Sequence, residues 1–484
     1  MTGGIDAKRR LVFLLVACTA AALAQAPPAG PAAGEAGLAA ARDPGAPATL
    51  AFHAFAPTPP MGWNSYDAFG DSVTEDEVLA NAAYVKNKLL AHGWNYIVID
   101  FRWYDPEPTG DDHALNQKRT GAKLAAEAFG RMVPAENRFP SSAGGKGFKP
   151  LADQLHAMGL KFGFHYMRGI PRQAVQAKTP IADSSFTAAD AGDSGNTCGW
   201  CPDMFGVRND AAGQAWYDAM FQLYASWGLD FIKVDDLSNP YRQSEVELIR
   251  RAIDKCGRAI VLSTSAGPTP LRSAEHVKTH ANMWRISGDF WDNWAKLNAQ
   301  FDLMNGWRDA GGPGHFPDAD MLPLGHLCIR SKAGGNDRVS RYTHDEQTTL
   351  LSFWCLAPSP LMLGGNLPDN TDWDLALITN DEVLAIDQDP LAKPATRVRQ
   401  QAGPAGRTEV WVRELTDGSR VAGLFNRGET VADVALDWDQ AKLSGQWTAR
   451  DLWQHKDLGA FAAKLALSVP AHGAVLLKLA PARK

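Results

Sequence analysis

The stretch DFIKVDD (230–236) has the composition of a buried parallel strand, yet it closes on two aspartates. Burying an unpaired charge is costly, so carboxylates at the end of a core strand need a purpose. Side chains alternate along a strand, which puts Lys233 and Asp235 on one face and Asp236 on the other. A lysine beside Asp235 would hold it ionised at neutral pH, as a nucleophile or electrostatic stabiliser must be. The same alternation puts Arg285, Ser287 and Asp289 of MWRISGD (283–289) on a common face. Two carboxylates on nearby strands, one held ionised and one able to carry a proton, are the minimum apparatus for cleaving a glycosidic bond. Other apolar runs also end on polar residues: Asp100, His165, Ser265, and Asp318 with Asp320. Any one of these could cap the helix that follows its strand. Polar residues at so many strand ends point instead to one shared pocket.

Such a cluster needs a frame that gathers strand ends. From residue 60 to 390 the chain alternates strand-like and helix-like segments. The strand candidates are PMGWNSY (60–66), YIVIDF (96–101), KFGFHYM (161–167), DFIKVDD, AIVLSTS (259–265), MWRISGD, HFPDADML (315–322) and PLMLGG (360–365). Each is followed by a helical run, and two of those runs stop at Gly159 and Gly228. Eight strand–helix units predict an α/β fold, a closed (β/α)8 barrel with its functional residues at the C-terminal ends of the strands. An open doubly wound sheet is the rival, and the first strand lacks the glycine-rich loop of its dinucleotide-binding form. After about residue 391, short alternating strands separated by Gly, Asp and Asn predict an antiparallel β-sandwich. The expected domains are a signal peptide (1–24), a linker (25–50), the barrel (51–390) and the sandwich (391–484).

Composition narrows the partners. The chain has 484 residues, 45% hydrophobic and 21% charged, as in an ordinary soluble protein. A net charge of -6 gives no basic footprint, so nucleic acid is not an expected partner. Sixteen Trp suit sugar faces, and they suit a core equally. Lys8, Arg9 and Arg10 precede the apolar run Leu11 to Ala24, which reads as a secretory signal and places the protein in the periplasm or outside the cell. LVAC (15–18) offers an alternative, a lipid anchor at Cys18. No later stretch is long and apolar enough to predict a membrane span. Export permits disulfides, and CGWC (198–201) reads as a local Cys198–Cys201 bridge or as two buried thiols. The scattered histidines predict no metal site, and glycoside hydrolysis by two carboxylates needs no cofactor. Nothing in the pattern fixes an oligomeric state.

The motifs PMGWNSYDAFG, YIVID, LKFGFHY, KVDD, WRISGD, FPDADML, SPLMLGG and LAIDQDPL resemble, in order, those of family 27 glycoside hydrolases. That family includes α-galactosidases and α-N-acetylgalactosaminidases, and the resemblance covers roughly residues 58–482. It implies a retaining double displacement in a barrel followed by a β-sandwich. It implies Asp235 as nucleophile and Asp289 as acid/base, with carboxyl groups about 5–5.5 Å apart. Lys233, Arg285, Asp100 and Asp320 match family positions that hold sugar hydroxyls, and Tyr66, Trp103, His165 and Ser265 complete the expected sugar-binding set. Asp236 is expected to cap or hydrogen-bond outside the pocket.

The departures bear on the sugar. Family α-galactosidases usually carry two adjacent aspartates on the second strand, which hold O4 and O6. Here the second is Phe101. Tyr66 stands where many relatives have Trp, and Ser265 stands where they have Glu or Ser. Arg168 and Arg172 in MRGIPR have no assigned role. The resemblance makes an α-galactoside the first expectation. The alternatives keep the chemistry on an α-N-acetylgalactosaminide, a β-L-arabinopyranoside or an α-glucan. A non-catalytic carbohydrate-binding protein is a further alternative, and both catalytic carboxylates being present argues against it.

Overall fold

The computed structural model describes residues 50–403 and 406–482. The predicted signal peptide, the Cys18 alternative and all but the last residue of the linker lie outside the described residues. Eight parallel strands form one sheet: β1 (Met61–Asn64), β2 (Tyr96–Ile99), β3 (Lys161–Met167), β4 (Phe231–Asp235), β5 (Val261–Thr264), β6 (Met283–Arg285), β7 (Phe316–Asp318) and β8 (Leu361–Leu363). Their order runs from β7 down to β1 and then to β8. The segment after β7 seals the remaining seam. Leu322 pairs in parallel with Leu363, its N–H donates to the Met362 carbonyl at 2.7 Å, and Gly364 N–H donates to the Leu322 carbonyl at 3.0 Å. The expected barrel is therefore present.

Alternation along the strands sends one set of side chains inward. Tyr96, Val98, Phe231, Val261, Met283, Phe316 and Met362 form a buried apolar cluster within the ring. This plug closes the floor below the polar strand ends. The outward set packs against helices such as Ala211–Ser226 and Gln243–Lys255. Asp210 caps the first of these by accepting from Gly213 N at 2.9 Å, satisfying an otherwise orphaned donor. Gly159 and Gly228 both take positive φ just past their helices, as the sequence predicts.

Beyond the barrel lie β9 (Thr396–Gly403), β10 (Gly406–Glu414), β11 (Arg420–Asn426), β12 (Ala432–Asp437), β13 (Trp447–Asp451), β14 (Lys456–Phe461), β15 (Lys464–Val469) and β16 (Ala474–Pro481). Six form an antiparallel sheet ordered β9-β10-β11-β16-β13-β14, and β12 pairs with β15. Val410, Leu424, Val434, Leu436, Leu465 and Leu477 fill the space between the two sheets. The sandwich joins the barrel through an aromatic cluster in which Phe353 packs on Phe301, Trp411 and Phe425 at 4.0, 5.0 and 5.5 Å between ring centres. Among the described residues, no helix is long and apolar enough to cross a membrane.

Candidate active site

The polar strand ends surround a cavity of about 420 Å³. Tyr66, Phe101, Lys233, Asp235, Ser265, Arg285, Asp289 and Asp320 all line it.

β4 delivers the first group. Lys233 and Asp235 share its inward face, and Asp235 is its last residue. The next residue, Asp236, turns away with φ of 62°. Lys233 Nζ donates to Asp100 Oδ2 at 3.0 Å, and Asn64 Nδ2 donates to the same oxygen at 2.6 Å. Asp100 itself is 1% exposed and stands behind Lys233. Burial alone would push the Asp235 carboxyl up, but Lys233 and His165 more than offset it and hold it well below the ordinary carboxylate range. Burial would likewise pull Lys233 down, and Asp100 and Asp235 hold it above the usual lysine range. Asp235 is therefore a carboxylate under operating conditions, as the sequence argument requires.

Asp289 arrives differently. The predicted strand 283–289 ends at Arg285, so alternation does not carry Asp289 inward. A turn after β6 brings it to the mouth, where its side chain is half exposed and its Oδ1 lies 3.3 Å from the Arg285 guanidinium. Ser287, expected on the same face, instead accepts from Gln300 Nε2 at 3.0 Å. Arg285 also pairs with Asp320 at 2.7 Å, and Asp320 accepts from Phe290 N at 2.8 Å. Asp318 lies deeper, and burial, with Asp320 adding to it against Arg285, pushes its carboxyl up to about 6.

Three expected sugar contacts lie elsewhere: Asp100, behind Lys233 and outside the cavity lining, Trp103 and His165. Trp103 is fully buried outside the cavity. The chain turns after β2, and the indole packs on Phe148 and Phe164, both 5.0 Å away between ring centres, while its N–H donates to the His165 carbonyl at 2.5 Å. His165 is also fully buried, and its Nε2 sits 3.0 Å from Asp235 Oδ2, so it touches the carboxylate and does not line the cavity. Ser265 lies next to the Asp235 carboxylate, and Tyr66 donates its hydroxyl to Asp111.

Sequence reasoning missed Trp200, Asp67, Asp111, Asn239 and Trp291, all of which line the cavity. Trp200 sits in CGWC, which was read for its sulfurs alone. Those two cysteines are buried thiols, and burial pushes Cys198 up to about 12. Trp200 and Phe101 lie 5.7 Å apart between ring centres, and Phe101 also meets His165 edge-on at 5.3 Å. The unassigned Arg168 has a place too. It is buried between Asp236 and Glu245, at 2.6 Å from each. Arg172 lies over the Phe205 ring at 4.6 Å.

Family models agree with this geometry. The α-galactosidase A model matches residues 193–389, and the α-galactosidase C-terminal β-sandwich model matches residues 405–479. The crystal structure of a family 27 β-L-arabinopyranosidase from Geobacillus stearothermophilus is 45% identical with a TM-score of 0.86, over 90% of this chain and 99% of that one. This chain belongs to glycoside hydrolase family 27. The crystal structure of a protein from Bacillus halodurans, provisionally assigned as an α-N-acetylgalactosaminidase, is 40% identical with a TM-score of 0.78, over 88% of this chain and 97% of that one. The α-galactosidase of Cyamopsis tetragonoloba is 30% identical over 89% of this chain and 88% of its own length. As a family 27 member the chain is a glycoside hydrolase, and its substrate is a carbohydrate.

Proposed function

We propose that the chain is an exported, retaining glycosidase for galactose-configured pyranosides, and that β-L-arabinopyranosides are its better substrates. Asp235 attacks the anomeric carbon and forms a glycosyl-enzyme. Asp289 protonates the departing oxygen and then, as a base, activates the water that releases the sugar. The surroundings of the two groups suit these roles. Asp235 is enclosed and held ionised, whereas Asp289 sits half exposed at the mouth, where it can exchange a proton with solvent. Lys8 to Arg10 and the apolar run after them support export.

The observation that carries the choice of sugar is Phe101. β-L-Arabinopyranose has the ring hydroxyls of α-D-galactopyranose and lacks the C6 hydroxymethyl. Where family α-galactosidases hold O4 and O6 with two adjacent aspartates, this chain keeps the first as Asp100 and sets the Phe101 ring, backed by Trp200, in place of the second. A hydroxymethyl there would bury its O6 against an apolar wall without a partner. The similarity to the Geobacillus β-L-arabinopyranosidase agrees with this reading.

The test is release of nitrophenol from nitrophenyl β-L-arabinopyranoside, α-D-galactopyranoside and α-N-acetylgalactosaminide by the purified chain, with Asp235→Ala as blank. The expected result is a kcat/KM for the arabinopyranoside about 10-fold or more above that for the galactoside. Equal rates on the two sugars would remove the role given to Phe101. Turnover by the Asp235→Ala variant would sink the mechanism.

A further inference from the structure

Asp289 must stand within hydrogen-bond reach of the oxygen it protonates, so whatever that oxygen carries away emerges beside the segment that holds Asp289. Trp291, two residues on, lines the same cavity and is partly exposed. Its mounting is fixed. The buried carboxylate of Asp292 accepts from Arg338 Nε at 2.9 Å and from Arg341 N at 2.8 Å. The Trp291 carbonyl accepts from the Tyr342 hydroxyl at 3.1 Å. The edge of the indole rests on Gly334, where a Cβ would fall 2.2 Å from the ring, and the Arg338 guanidinium stands 5.9 Å from the ring centre. Neither Gly334 nor Arg338 lines the cavity, so the ring is braced from behind. Asn239, which is exposed, also lines the cavity. The cavity holds more than one sugar. A pentopyranose has about ten non-hydrogen atoms, and even at the roughly 30 Å³ apiece that a water takes in the liquid they fill about 300 Å³. The cavity measures about 420 Å³.

We infer, resting on the glycosidase reading above, that Trp291 is the platform for the leaving group and that this leaving group is itself a sugar. An aromatic face takes the C–H face of a pyranose, and the Asn239 amide offers its hydroxyls both a donor and an acceptor. A purely apolar alcohol would use the ring alone. It would strip water from the Asn239 amide and the Asp289 carboxylate without replacing those hydrogen bonds. A ring held in place before binding loses little freedom when a sugar stacks on it. The substrate is then a saccharide that carries the pyranosyl unit at an end or as a branch.

The experiment measures kcat/KM of the intact chain on methyl β-L-arabinopyranoside, on cyclohexylmethyl β-L-arabinopyranoside and on disaccharides with the same sugar β-linked to successive hydroxyls of a hexose. All the leaving groups are aliphatic alcohols, so they draw alike on Asp289 and differ in what meets Trp291. The best disaccharide should exceed the methyl glycoside by about 10-fold or more, and should also exceed the cyclohexylmethyl glycoside. In Trp291→Leu the ratio of disaccharide to methyl glycoside should fall about 10-fold, whereas Trp291→Phe, which keeps a ring, should hold it within about 3-fold. Equal losses on both substrates in Trp291→Leu would mean that the ring only holds Asp289 in place, and would overturn the proposal. The parent overturns it without any variant if it takes the methyl glycoside as readily as every disaccharide, or if it prefers the cyclohexylmethyl glycoside. The α-D-galactopyranosides of the same alcohols are run in parallel. A wrong choice of the cleaved sugar would appear as turnover in that series, and the leaving-group ratios are then read there. A chain that cleaves neither series would overturn the proposed function and this inference together.

Discussion

Lys233, Asp235, Arg285, Asp289 and Asp320 face the cavity from β4, β6 and the segment after β7, whereas Phe101 and Trp200 face it from the loops after β2 and β3. On the first side every charge answers another. Arg285 bridges two carboxylates, and Lys233 joins Asp100 to the neighbourhood of Asp235. Such a wall tolerates little change, because removing one partner leaves the other buried and unpaired. The aromatic side has no such bookkeeping, and a ring there can be exchanged for a polar group without stranding a charge. Under the proposed mechanism the difference amounts to a division of labour, with chemistry on the charged wall and choice of sugar on the aromatic one.

The strongest way to break that division is at Asp289. Asp289→Ala should lower kcat/KM by about 10²- to 10⁴-fold on glycosides with poor leaving groups, and far less on nitrophenyl glycosides, which need little protonation. Steady-state rates on the two substrate classes check this, and equal losses would take the acid role from Asp289.

A second test probes the depth of the charged wall through pH. The Asp318 carboxyl is pushed up to about 6 from its ordinary 3.8, so between those values the folded chain holds a proton that the unfolded chain releases. Stability from this group is therefore fullest at the acid end and falls as pH rises through that window, by at most on the order of 3 kcal/mol, and is level above it. Asp318→Asn keeps the neutral form, so its Tm should lose that slope and lie above the parent's at pH 7. Superimposable plots of Tm against pH would remove Asp318 from the set of buried groups that matter.

The smallest expected effect is on the aromatic side, and it sharpens the contrast. Phe101→Asp should shift the ratio of galactoside to arabinopyranoside kcat/KM toward galactoside by about 10-fold, while the fall in kcat on the arabinopyranoside stays modest. A collapse of turnover on both sugars would mean that Phe101 supports the chemistry, through its contact with His165.

What the sequence revealed follows the same division. Lys233 and Asp235 were legible because a strand enforces alternation, and both lie within β4. Asp289 was found by motif resemblance, and the alternation argument for it fails because β6 stops at Arg285. Trp103 was placed in the pocket because an aromatic residue after a strand end does not announce which way it will turn, and it turned into the core. Trp200 and Asp67 went unseen for a related reason. They sit in a loop and a helical turn, where no periodicity constrains the side chain. In the sandwich, β10, β11, β12, β13 and β16 showed in the pattern. β9, β14 and β15 did not: β9 and β14 are mostly exposed or partly exposed and carry no apolar alternation, and β15 went unread although Leu465, Leu467 and Val469 alternate along it.

The apolar plug inside the barrel has a further consequence. A cavity with a packed floor has one mouth, so a polysaccharide can present an end or a side branch to it but cannot thread through. On the proposed function, a polymer treated with this enzyme would shed its single-sugar decorations one at a time and keep its backbone length, so its solution would stay nearly as viscous while free monosaccharide accumulated.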